Sequence, residues 1–131
     1  MAATGRPRDA GNSTVEFTLV SVLVVGLFHA VLQLDFVLQT RNVLVASAQE
    51  GARYGANADR SPRDAEQRTR EVVGTALSTS VAGHLSYDAQ QVVRGGVLTV
   101  EVTVTGPLPL VFLPAGPMSL TVRGHALEEA R

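Results

Sequence analysis

His84, Ser86 and Asp88 alternate along a short stretch that reads as a strand, and a base, a nucleophile and an orienting carboxylate are the group types of a hydrolytic triad. Spaced two apart on one strand, such side chains stand about 6.5–7 Å from each other, too far for the hydrogen bonds a triad needs. His29 lies in an apolar run and His125 near the carboxyl end, neither with a second ligand at metal spacing. The chain has no cysteine, so thiolate metal sites, iron–sulfur clusters and disulfides are excluded. No phosphate loop, dinucleotide fingerprint or nucleophile elbow occurs. An enzyme is not expected, nor a metal or cofactor.

One further group has a chemical problem to solve. Glu16 sits at the mouth of Phe17 to Leu34, 18 residues without Asp, Glu, Lys or Arg. A helix of that length nearly crosses a bilayer's hydrocarbon core, and an ionised carboxylate carried to the centre costs on the order of 2.5–3.5 kcal/mol. A partner for Glu16 is therefore expected. The run is apolar on all sides, and the rest of the chain is too small to surround it as a core helix. The helical pattern continues past Leu34 through Leu38 without a small-residue cleavage site, which argues against a secretory signal. The spanning part is placed at about 15–38.

The elements that position these groups follow from pattern. Residues 1–11 form a short leader with Arg6 and Arg8, retained on the cytoplasmic side by the positive-inside bias, so the body lies outside. A long helix is predicted over 12–58, because no proline interrupts it. Ala48, Gly51 and Gly55 make a small-residue row, either a seat for another subunit's helix or a place where a strand of the chain's own sheet approaches. Glu50 and Arg53 could pair on the wet face.

Residues 59–131 are expected to fold as an outer domain packed on the long helix. Ser61 is an N-cap with Pro62 and Asp64 in the first turn of a second helix that ends before Gly83. The period then becomes two. A first strand through Leu85, Tyr87 and Gln91 to Val93 turns at Arg94-Gly95-Gly96 into Val97 to Thr105, with Leu98, Val100, Val102 and Val104 inward and Thr99, Glu101, Thr103 and Thr105 wet. Met118, Leu120 and Val122 face inward on a last strand, and Glu128, Glu129 and Arg131 make a solvated tail. The fold class is α+β, with an antiparallel sheet of about three to four strands. Between the last two strands, four prolines hold Leu108, Leu110, Phe112 and Leu113 in a loop that either covers its own sheet or docks a partner. A net charge of −1 and no basic stripe predict no nucleic-acid partner.

Two stretches resemble a known family. Gly11, four residues, then Glu16 and Phe17 before an apolar helix resembles the processing signature of type IV pilin-like proteins in its tight-adherence form. Ala48 to Gly55, containing Gly51-Ala52-Arg53-Tyr54, is similar to the segment that follows the membrane helix in TadE-like pseudopilins. The resemblance implies a single-pass inner-membrane subunit of a tight-adherence-type pilus or secretion system. It implies cleavage by a prepilin peptidase between Gly11 and Asn12, and contact with membrane lipid and other pilin-like subunits. Glu16 would meet the freed amino terminus of a neighbour. The alternative is an unprocessed single-pass membrane protein whose outer domain binds an envelope partner or ligand.

Overall fold

A computed structural model describes residues 9–107 and 118–128. The expected leader residues 1–8, the apolar loop with Leu108, Leu110, Phe112 and Leu113, and the tail residues Glu129 and Arg131 lie outside the described residues.

The first helix, α1 (Asp9–Gly55), has 47 residues and is about 70 Å long. Three polar side chains of its apolar run reach back along the helix. Thr18 Oγ1 donates to Thr14 O at 2.9 Å, Ser21 Oγ to Phe17 O at 2.7 Å, and His29 Nδ1 lies 2.7 Å from Val25 O. Returning the bond to the carbonyl four residues back gives each of these groups a backbone partner within the helix.

The second helix, α2 (Pro62–Ala76), starts where its local chemistry says. Ser61 N–H donates to Asp64 Oδ2 at 2.8 Å while the Ser61 side chain accepts from Asp64 N–H, a reciprocal capping box. The charge-assisted bonds from Ser61 hold the Asp64 carboxyl below its usual pKa. Ala65, Thr69 and Val73, four apart, form the buried stripe. The helix ends before Gly83, as the pattern suggested. It stops at Ala76, and Ser78 caps a separate short α3 (Thr79–Gly83), its hydroxyl accepting from Val81 N–H at 3.1 Å. Side-chain capping by Ser78 competes with helix continuation there.

Three antiparallel strands, β1 (Ser86–Arg94), β2 (Val97–Pro107) and β3 (Ser119–Leu127), form a sheet in the order β1-β2-β3. The β1–β2 hairpin turns through Gly95 (φ 60°) and Gly96 (φ 83°), the paired positive φ that a two-residue turn matching strand twist requires. Val100, Val102 and Val104 pack under the helices with Val122, Leu44, Ala48, Ala52 and Val73. α1 crosses β3 and β2, and α2 lies over β1. The sheet therefore has one covered and one open face.

Several expected orientations are corrected. Leu98 and Met118 are exposed, since both lie at sheet ends beyond the core. Thr99 and Glu101 are buried, because central-strand residues are flanked by cross-strand neighbours, Val92 and Leu127 for Thr99 and Gln90 and His125 for Glu101. Arg94 reaches diagonally to pair with Glu101. Glu128 is not free in solvent: its N–H donates to Leu98 O at 2.9 Å and its carboxylate accepts from Gln91 Nε2 at 2.8 Å.

Candidate functional site

The two motifs sit at opposite ends of α1, in opposite environments. Gly11, Asn12, Glu16 and Phe17 are all exposed, and a Cβ added at Gly11 would meet nothing within 4 Å. Among the described residues Glu16 has no ion-pair partner. The following turns are exposed too, and the most apolar window of the helix has a mean hydropathy of 2.2 with none of it buried. A helix of this length and composition is suited to anchoring in a membrane.

At the other end, Gly51, Ala52 and Gly55 are buried and Arg53 is exposed. A Cβ on Gly51 would lie 1.8 Å from Thr69 Oγ1 and 2.7 Å from Ala65 O, and one on Gly55 would lie 2.5 Å from Ala65 Cβ. The small-residue row is thus filled from within the chain, by α2. A strand does approach α1 closely, but through its own glycine: a Cβ on Gly124 of β3 would fall 2.3 Å from the backbone carbon of Ala48 and the backbone nitrogen of Gln49.

Tyr54 is gripped by two guanidinium groups, Arg60 at 4.7 Å and Arg68 at 5.8 Å from its ring centroid. Arg68 also lies 3.5 Å from Glu50, so Glu50 pairs across to α2 and not with Arg53 along its own helix. Both partners are well exposed, which limits that pair to a few tenths of a kcal/mol. Glu66 of α2 accepts the Ala89 N–H at 3.0 Å and so covers one group on the free edge of β1.

The triad-like residues are not brought together. His84 lies beyond α3, not on a strand, and its Nδ1 is 2.6 Å from Ser80 O. Tyr87 Oη donates to Ala82 O at 2.9 Å, tying α3 to β1, and burial raises its pKa, partly offset by Arg70. Helical spacing placed Ala65 and Thr69 on the apolar face of α2, where they are buried. The pattern did not single out Gly124 or a role for Arg68; a glycine inside an alternating strand is a signal that could have found the first.

The family model described as TadE-like protein matches residues 11–53. Over that segment, about a third of the chain, the protein is similar to the TadE-like protein family. No curated protein and no solved structure matches the chain. The TadE-like segment takes in nearly all of α1, from the exposed Gly11 to Arg53, and none of the sheet. A role in pilus assembly fits that family.

Proposed function

We propose that the chain is a minor pseudopilin, a membrane-anchored structural and assembly subunit of a tight-adherence-type pilus or secretion system. In this reading prepilin peptidase removes residues 1–11, Asn12 becomes the amino terminus, and the outer domain stands on the far side of the inner membrane. The observation that carries it is the exposed Glu16, without an ion-pair partner among the described residues, at the mouth of an apolar run whose most apolar window is unburied, within the TadE-like segment. A neighbour's terminal ammonium there would remove two uncompensated charges from lipid and set axial register between subunits. The shared core of α1, α2 and the sheet supports a domain built on the helix.

Intact mass of the full chain from membranes, with and without a prepilin peptidase, tests processing. The expected result is loss of residues 1–11 when the peptidase is present; a chain beginning at Met1 in both cases overturns it and favours the unprocessed membrane protein. For assembly, Glu16→Ala should insert normally yet recover other pilin-like subunits about tenfold less well, the loss expected for about 1.4 kcal/mol. Undiminished recovery would remove Glu16 from the assembly role.

A further inference from the structure

The buried stripe of α1 begins inside the apolar run. Gln33 is buried, Val37 half-buried, and Thr40 and Leu44 buried in turn. With the hydrocarbon edge between Leu34 and Leu38, helix rise puts Thr40 only about 3–9 Å beyond it. The headgroup region occupies about 5–7 Å on each side of the hydrocarbon core. The domain therefore has no stalk: its lower end is at the depth of the headgroups.

That end is apolar. Around Thr40 and Leu44, the residues Val81, Leu85, Pro107 and Leu120, with the polar Ser80 and His84, line a cavity of about 220 Å³, and no Asp, Glu, Lys or Arg is among its described lining residues. It is smaller than the roughly 300–1,000 Å³ of sites for drug-sized ligands. Val81 and Met118 at the same end are 40% and 55% exposed, large apolar side chains at the level where a bilayer interface would receive them.

We propose that this end of the domain is seated in the outer headgroup layer, its cavity taking a segment of a lipid acyl chain. The inference rests on the reading of the apolar run as membrane-spanning. The occupant is lipid because the cavity lies against the helix that enters the bilayer and its described lining is mostly apolar, with His84, one of its few polar groups, already engaged with the Ser80 carbonyl.

The chain has no tryptophan, so one introduced residue is a sole reporter. The full-length protein would be reconstituted in phosphatidylcholine vesicles with brominated acyl chains, carrying Val25→Trp, Val81→Trp, Met118→Trp or Val93→Trp in turn. Val93, 69% exposed beside the Gly95–Gly96 turn, lies about 30 Å along the sheet from Pro107 and is the distal control. Quenching at 81 and 118 should exceed that at 93 by about threefold or more, with 25 quenched most strongly. Quenching at 25 but at neither 81 nor 118 overturns the inference alone. No quenching at 25 overturns the membrane reading beneath it. Blue-shifted emission at 81 that bromine leaves untouched and that fades on dilution in lipid would mean a second copy covers this end, and would also overturn it.

Discussion

The lower and upper halves of α1 are one continuous helix with opposite uses for their small residues. In the lower half Gly26 has nothing within 4 Å of where a Cβ would be, and the surrounding Val, Leu and Phe are exposed. In the upper half Gly51 and Gly55 are pressed against α2, and the Ala48 backbone against Gly124 of β3. The difference shows that composition does not say what a helix face is for. A glycine in the lower half leaves a surface open to other molecules, whereas a glycine in the upper half is the contact by which the chain holds itself together.

The largest test of this contrast is Gly124→Ala. Its new Cβ would meet backbone on α1, which has no flexible end to move, so the domain should lose about 3 kcal/mol or fail to fold. Denaturant unfolding of the full chain in detergent, followed by the sheet signal, measures it. A loss under about 0.5 kcal/mol, the range of ordinary surface changes, would mean the crossing is looser than described.

Gly51→Ala comes next, at about 2 kcal/mol, because one of its two obstacles is the movable Thr69 hydroxyl. Thr69→Ala in the same chain should recover part of the loss but not all, since the Ala65 carbonyl remains. Full additivity in this double-mutant cycle would place the two residues out of contact. Gly26→Ala, by contrast, should leave domain unfolding within about 0.5 kcal/mol.

A smaller loss than at Gly124 or Gly51 is expected at the α2 cap. Ser61→Ala should cost about 1 kcal/mol at neutral pH. Asp64 has a folded pKa below its ordinary 3.8, so the stability from its ionised form is present above that value and lost as pH falls through the folded one. Melting curves of wild type and Ser61→Ala should therefore converge on acidification below the usual carboxylate range. A gap that stays constant with pH would separate the cap from the carboxylate.

What was legible in the sequence is what local chemistry decides. Ser61-Pro62 with Asp64 starts a helix, Gly95-Gly96 turns a hairpin, and the valines of β2 show their inner face by alternation, each within a few residues. Partner choice was not legible, because it depends on which elements meet. Glu50 had Arg53 one turn away but pairs with Arg68 on another helix. Glu101 occupied the outer phase of its strand, yet cross-strand neighbours and Arg94 bury it. Of the candidate site, the motif residues could be found by spacing. That the Gly51–Tyr54 segment is turned inward onto α2 could not, because the same small-residue spacing serves helix packing within a chain and between chains.

The uninterrupted course of α1 from Asp9 to Gly55 has a mechanical consequence. Neither a proline nor a linker separates the apolar half from the half that carries the domain, and the domain grips one side of the rod. A helix advances about 1.5 Å and turns about 100° per residue. Sliding the lower half by one residue along a helical path would thus swing the whole sheet through about a quarter-turn around the rod. A small screw motion of the apolar half is thus a large angular displacement of the domain, and whatever fixes the rotation of that half also fixes the direction in which the domain points.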